Sequence, residues 1–340
     1  MFFHRDIQTL LAPTGEAKAL MLLLLEHEAG LSTAQVLMGE AEKLPQDFKA
    51  DLAAKAQRVA NGEPIQYVLG EAQFCDLSIS VAPDVLIPRP ETEELVRWAA
   101  RQIEDASKLM EGETNVLRML DLCTGSGCIA LALKSLFPDA EVHGVDVSGN
   151  ALKIACRNAK KLGLDVTFHQ ADVLSFPLTF SRGFCSDGSC TISLEGCPSP
   201  TNEGNCADSR SSSWWSKAED GRETGLETFG WGKFSLLISN PPYVCQSEAE
   251  QMDINVLEHE PHLALFVPDE DPLHFYQAIT HHGQRLLKKG GLLMLELNPR
   301  FSDEVADLLR RSGYSDIIIR QDAFDKQRML SATWNHSENQ

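Results

Sequence analysis

Apolar runs of strand length alternate with amphipathic runs of helix length from about residue 116 onward, and few folds accommodate that order. "VLRMLDL" (116–122), "EVHGVDV" (141–147), "DVTFHQAD" (165–172), "FSLLIS" (234–239) and "GLLMLEL" (291–297) read as five strands. "CIALALKSLF" (128–137), "GNALKIACRNAKKLG" (149–163) and "HFYQAITHHGQRLLKK" (274–289) read as the helices between them. "SDEVADLLRRSG" (302–313) adds a helix, and "SDIIIR" (315–320) and "RMLSAT" (328–333) add two strands. Several strands are apolar nearly throughout, as strands covered by helices on both faces are. The pattern predicts an α/β chain built on a seven-stranded, Rossmann-like sheet.

Before this unit, residues 1–60 carry helical signals: "AKALMLLLLEHEAG" stops on Gly30, Ser32 is a cap, and "QDFKADLAAKAQRVANG" stops at Asn61-Gly62. They predict a small helical domain. Residues 61–90 are expected to form a linker carrying a β-hairpin around Gly70, with a helix beginning near Glu91 and the main domain spanning 91–340. Residues 175–231 interrupt that domain; rich in Ser, Gly, Asn and charge, they read as a flexible insertion. Four of the nine cysteines fall there (Cys185, Cys190, Cys197, Cys206), spaced C-x4-C-x6-C-x8-C. Without a C-x-x-C pair they read as reduced thiols rather than zinc ligands. "HEPH" (259–262) lacks the helical spacing of a metal motif. No metal is expected. A net charge of −19 argues against a broad grip on nucleic acid. The longest apolar run, "ALMLLLL" (19–25), is far short of a membrane span and follows a start unlike a signal peptide. A cytoplasmic protein without membrane association is expected.

Candidate functional residues gather where strands end. "DLCTGSGCIA" (121–130) joins the first strand of the α/β unit to its helix, and Gly125 and Gly127 let backbone approach a ligand closely. The pattern G-x-G-x-x-A, with Asp146 twenty-one residues after Gly125, also satisfies a dinucleotide fingerprint. A nicotinamide dinucleotide and S-adenosylmethionine therefore compete. Asp121 just ahead of the loop suits a ligand with an amino group or positive charge. Asp146 is placed to accept from ribose hydroxyls, and Asp172 lies within reach of an adenine edge.

"SNPPYV" (239–244) ends another strand on the same rim. Pro241 and Pro242 cannot donate to a ladder, and Pro241 holds Asn240 in an extended conformation. The segment offers acceptors, the Asn240 side-chain oxygen and the Pro241 carbonyl, to a planar amino group, with Tyr243 placed to pack on its face. Such a grip positions a weakly nucleophilic nitrogen against a methyl donor. Acceptors on its hydrogens stabilise the positive charge that develops in the transition state.

Together these motifs resemble the peptide chain release factor N5-glutamine methyltransferases, the HemK/PrmC family. The resemblance rests on "GEPIQYVLGEAQF" (62–74), "VLIPRPETEELV" (85–96), "LDLCTGSGCIALAL" (120–133), "GVDVS" (144–148), "ISNPPYV" (238–244) and "EPHLALF" (260–266). It implies a class I methyltransferase fold in which Cys123, Thr124, Gly125, Ser126, Gly127 and Asp146 hold S-adenosylmethionine. Asp121, Asp172, Val173 and Asn240 complete the expected cofactor site. The resemblance further implies that Asn240, Pro241, Pro242 and Tyr243 hold the glutamine amide of the Gly-Gly-Gln tripeptide in class 1 release factors. Asn240, Pro241 and Tyr243 would be the catalytic set, and the helical domain would help grip the partner. Cys123 stands where Gly is common, and Val173 where some members carry an aromatic residue. An enzyme methylating adenine in DNA or RNA is the alternative, because N6 is also a planar amino group. It needs a basic groove that this acidic chain does not advertise. A dehydrogenase must treat NPPY as punctuation, and a non-catalytic scaffold would be expected to have lost the loop residues.

Overall fold

The computed structural model describes residues 3–109, 116–175, 182–184 and 233–335. The N-terminal helices α1 (Phe3–Leu10), α2 (Ala17–Ala29), α3 (Thr33–Leu37), α4 (Gln46–Ala60) and α5 (Ile65–Leu69) enclose a core that includes Ile7, Leu24, Leu25, Val36, Leu52 and Val68. Gly30, at φ 64°, ends α2 in the left-handed conformation that glycine tolerates. Ser32 then opens α3 through a reciprocal capping box with Gln35. The helix read through "STAQVLMGEAEKL" is broken: Gly39 at φ 83° separates α3 from a 3-10 turn, Glu40–Lys43.

The hairpin pairs β1 (Glu71–Phe74) with β2 (Leu77–Ser80). Its turn is at Cys75-Asp76, where φ is 48° and 66°, rather than at Gly70, which ends α5. Two positive φ values match the right-handed twist of the strands they join. Next comes α6 (Pro90–Leu109), whose Pro90 occupies the first helical position, where a missing N–H costs nothing.

The α/β unit runs β3 (Arg118–Leu122), α7 (Cys128–Leu136), β4 (Glu141–Asp146), α8 (Gly149–Leu162), β5 (Thr167–Gln170), β6 (Arg182–Phe184) and β7 (Phe234–Ser239). It continues through β8 (Val244–Cys245), α9 (Ile254–His259), β9 (Phe266–Val267), α10 (His274–Leu286), β10 (Leu287–Glu296), α11 (Ser302–Arg311), β11 (Tyr314–Gln321) and β12 (Gln327–Trp334). The main sheet has the order β11-β12-β10-β7-β3-β4-β5-β6. Its centre, from β10 to β5, is parallel; β12, β11 and β6 pair antiparallel. The seven strands read from the sequence are present, and the short β6 makes an eighth. That strand lies within the 175–231 segment, which otherwise falls outside the described residues apart from Ser175, as do its four cysteines. Of the remaining five cysteines, Cys75, Cys123, Cys128 and Cys245 are free thiols.

Strand alternation splits the core. Met119, Leu236, Ile238 and Met294 point to the face covered by α6, α7 and α8, whereas Leu120, Leu237, Leu293 and Leu295 point to that covered by α10 and α11. Asp121 and Glu296 follow the same parity onto the α6–α7 face.

A single buried amide ties the hairpin to this unit. Asn158 on α8 accepts from the Ser80 N–H at 2.7 Å and donates to the carbonyls of Ser80 and Ser126, each at 3.0 Å. Linker, helix and glycine loop thus share one fully buried side chain. Asn158→Ala strands these backbone groups away from water, and unsatisfied buried groups cost ~1–3 kcal/mol apiece. A loss of about 3 kcal/mol is expected in denaturant unfolding, with no change in the α-helical circular dichroism of the folded protein.

Candidate active site

The rim formed by the carboxyl ends of β3, β4, β5 and β7 opens onto a cavity of about 420 Å³. Open parallel sheets place ligands at this edge. Its wall includes Cys123 to Ser126, Asp146, Asp172, Val173, Asn240 and Pro242, all read as site residues from the sequence. Asp121, Gly127, Pro241 and Tyr243 are not among the lining residues. Pro83, Arg89, Ile129, Leu263 and Phe275 line it without having been singled out.

The loop after β3 is built to bring backbone forward. Cys123, Gly125 and Gly127 have φ of 61°, 54° and 81°. Beside Gly125 there is open space, whereas a Cβ at Gly127 would sit 3.1 Å from both Ala155 and Phe168. The first glycine therefore serves conformation and access; the second lets α7 approach α8 and β5. Cys123 accepts a left-handed backbone without glycine's freedom, which costs roughly 1 kcal/mol.

Asp146 fixes the loop from the next strand. Its two carboxylate oxygens accept from the N–H groups of Gly125 and Ser148, each at 2.8 Å. Ser148 caps α8 through Ala151 and frees Asp146 from that duty. Burial nevertheless pushes the Asp146 carboxyl above its usual range.

Asp121 lies behind the cavity wall, with none of its surface exposed. One oxygen accepts from the Thr124 hydroxyl at 2.5 Å and from the Ala130 N–H at 3.2 Å. It thereby occupies a donor in the first turn of α7, where negative charge is favoured. The other oxygen has no hydrogen-bond partner among the described residues. Burial pushes this carboxyl up to about 7 despite both hydrogen bonds. Asp172 is exposed and accepts from the Leu174 N–H at 2.9 Å, while Val173 is buried.

On the opposite wall, Ser239 donates from its hydroxyl to the Leu122 carbonyl at 2.6 Å, locking β7 against β3. Asn240 follows, half-buried on the cavity wall, with Nδ2 donating to Thr92 Oγ1 at 3.1 Å. Thr92 donates to Glu296 Oε2 at 2.6 Å, and Tyr243 donates from its phenol to Glu296 Oε1 at 2.9 Å. Tyr243 thus turns its hydroxyl towards a buried carboxylate, and its ring packs in the cluster that includes Leu120 and Leu295. Thr92 and Glu296 were missed as site residues. A lone acid in the apolar run "GLLMLEL" was the available signal, since an unpaired charge is rarely fully buried.

A second clamp holds the approach to α6. Glu260 accepts from the Arg89 guanidinium at 2.5 Å and from the Ile87 N–H at 3.1 Å. "HEPH" therefore contributes a loop anchor, in keeping with a packing role.

Comparison with known proteins follows the same lines. Residues 113–185 match a methyltransferase domain and residues 5–70 the PrmC N-terminal domain. The chain is 34% identical to a release factor glutamine methyltransferase of Bacteroides thetaiotaomicron over 331 residues, covering 97% of each chain. A release factor glutamine methyltransferase of Chlorobaculum tepidum is 33% identical over 312 residues, covering 91% of this chain and 87% of the relative. A solved protein-(glutamine-N5) methyltransferase from Alicyclobacillus acidocaldarius superposes with a TM-score of 0.35 at 20% identity, over 76% of this chain and all of that one. That superposition is too slight to bear on this chain.

The buried carboxyl of Asp121 makes a measurable demand. Its folded pKa is raised to about 7 from the model-peptide value of 3.8, so the folded chain holds a proton that the unfolded chain releases. Stability associated with that proton is full below pH 4 and is lost as pH rises through about 7. Asp121→Asn cannot ionise and escapes the loss. Thermal unfolding at pH 5 and pH 8 is expected to show the variant gaining on the parent at the higher pH. The ceiling is about 4 kcal/mol, from roughly 1.4 kcal/mol per pKa unit.

Proposed function

The chain belongs to the release factor glutamine methyltransferase family, and from that membership we propose that it transfers a methyl group to the side-chain amide nitrogen of the Gly-Gly-Gln glutamine in class 1 release factors. The observation that carries the reading is the engaged Nδ2 of Asn240. With its nitrogen end turned to Thr92, the carboxamide has its oxygen on the other side as an acceptor, as a planar amino group requires.

S-adenosylmethionine is the proposed cofactor, supplying an electrophilic methyl on a sulfonium centre. The lining suits a cationic amino-acid group. Asp84, Asp146 and Asp172 face the cavity, and Arg89, which also lines it, is already paired with Glu260. The Asp121 oxygen that has no partner among the described residues is a further acceptor close behind the loop. A pyrophosphate would meet these carboxylates, and the first turn of α7 already holds one. Gly125 gives the close approach, Asp146 is placed for ribose hydroxyls, and Asp172 and Val173 for the adenine.

Asn240 Oδ1 and the Pro241 carbonyl accept the two amide hydrogens of the glutamine and hold its nitrogen in line with the methyl group. As positive charge grows on that nitrogen, both contacts strengthen. Pro242 shapes the loop, and Tyr243, held to Glu296 behind the cavity wall, supports it from below. No base has to act before attack. Such a grip reads only an amide, so protein-level selectivity must come from elsewhere. The helical segment 1–60 is the proposed recognition surface. It holds Leu37 and Met38 out to solvent, each 72% exposed, at the end of α3. No helix among the described residues is long and apolar enough to cross a membrane, and we place the activity in the cytoplasm with translation.

Incubation with labelled S-adenosylmethionine and either a purified release factor or DNA tests the reading: label is expected on the factor, and label on DNA instead would favour the adenine alternative. Asn240→Ala is expected to slow transfer by at least ~10²-fold, the usual cost of removing a positioned polar group, while calorimetry still shows cofactor binding and none of NAD. Leu37→Glu combined with Met38→Glu should slow methylation of the intact factor without altering transfer to a short Gly-Gly-Gln peptide. Equal rates on the intact factor would remove the recognition role from that corner.

A further inference from the structure

The direction of the Asn240 carboxamide depends on a single proton two side chains away. Thr92 has one hydroxyl hydrogen, and Glu296 takes it: Thr92 Oγ1 lies 2.6 Å from Glu296 Oε2. Burial raises the Glu296 carboxyl, while the hydroxyls of Thr92 and Tyr243 and the charge of Arg328 act against that rise; as the acceptor of both hydroxyls, it gives this hydrogen one favourable direction. Thr92 then has only lone pairs left for Asn240, 3.1 Å away. Turned the other way, the carboxamide would set its oxygen against those lone pairs. Glu296 also accepts the Tyr243 phenol through its second oxygen at 2.9 Å. The guanidinium of Arg328, 3.4 Å from the Tyr243 hydroxyl, places positive charge at this end of the network. Both Thr92 and Glu296 are buried, so water does not compete for either hydrogen bond.

We propose that Glu296, acting through Thr92, is a positioning residue that holds the Asn240 amide with its oxygen towards the substrate, while anchoring Tyr243 with its second oxygen. The proposal rests on the reading of Asn240 as the acceptor of the glutamine amide, and it assigns orientation rather than chemistry to the pair. Neither residue touches the reacting atoms. The constraint is local: α6 supplies Thr92, β10 supplies Glu296, and β7 delivers Asn240 between them.

Three substitutions test it, read by kcat on the release factor, by the KM for S-adenosylmethionine, and by calorimetric affinity for that cofactor. Thr92→Val keeps the shape and removes the hydroxyl; kcat is expected to fall at least ~10-fold, as misplacement of a positioning group does, with cofactor affinity unchanged. Thr92→Ser restores the hydroxyl and should recover kcat to within ~3-fold of the parent, a rescue that a purely steric role would not give. Glu296→Gln keeps the packing but presents N–H to one of its two partners, and should lower kcat without shifting the cofactor KM. Should Thr92→Val fail to fold, the Glu296→Gln and Thr92→Ser pair carries the same expectation. Parental kcat in Thr92→Val or in Glu296→Gln overturns the proposal, as does a Thr92→Ser enzyme as impaired as Thr92→Val. A parent enzyme that labels no release factor sinks the functional reading instead, so the two failures are separable.

Discussion

Parallel register across the three central strands is the constraint on which the site depends. Leu122 on β3 pairs with Ser239 on β7, and Ser239 pairs with Leu295 on β10. One residue further along, the row delivers Cys123, Asn240 and Glu296 to a common edge. Because side chains alternate along a strand, a slip of one residue in β7 or β10 would turn Asn240 or Glu296 to the α10–α11 face. The Ser239 hydroxyl on the Leu122 carbonyl reinforces that row where the strands begin to splay into loops. Register therefore does for this site what a rigid loop would otherwise have to do.

The same edge concentrates buried carboxyls. Asp121, Asp146 and Glu296 are all pushed above the usual carboxylate range, and desolvation is the largest cause for each. Each is offset by donors: the Thr124 hydroxyl and the Ala130 N–H for Asp121, the Gly125 and Ser148 N–H groups for Asp146, and the Thr92 and Tyr243 hydroxyls for Glu296. Local stability is thereby traded against an acidic, donor-organised wall. Asp121 is the extreme case, because one of its oxygens has no partner among the described residues. A cationic ligand would relieve that strain, which neutral packing could not.

Much of this was legible from residues alone, for identifiable reasons. Strands such as "FSLLIS" are apolar on both faces, and β7 is buried at every position, so periodicity and length sufficed. The glycine loop was legible because left-handed backbone at Gly125 and Gly127 leaves a mark in composition, and Asp146 because it ends the next strand. Other features depended on tertiary context. "PIQYVL" has β-prone residues, yet Ile65, Tyr67 and Val68 are buried as a turn of helix against the helical unit and hairpin. The hairpin turns at Cys75-Asp76, where neither residue advertises a positive φ as glycine would. "HFYQAITHHGQRLLKK" was read as one helix, but Leu287 already belongs to β10, whose register shifts before Leu292, with Gly290 at φ 76° between them. Thr92 and Glu296 meet across 204 residues of sequence. No local pattern encodes that meeting.

The segment from Ile87 to Glu94 shows why a short motif can be so selective. Ile87 and Arg89 satisfy both oxygens of a nearly fully buried Glu260, so removing either leaves that carboxylate short of a donor. Pro88 and Pro90 flank Arg89 and restrict the backbone that aims it. Pro90 starts α6, and two residues later Thr92 reaches Asn240 and Glu296 from the first turn. Glu94 accepts from the Ala323 N–H in the loop between β11 and β12. Deeper along α6, Gln102 donates to Ser331 on β12. Each of these residue types answers a separate geometric demand: a fixed φ, a charge partner, a hydroxyl of one handedness of donation, an acceptor for a distant loop. A segment meeting only some of them would still form a helix. It would not hold the Asn240 carboxamide, the cavity wall at Arg89 and the antiparallel edge of the sheet in one frame, and it is that frame which fixes a strand end followed by two prolines against the cavity.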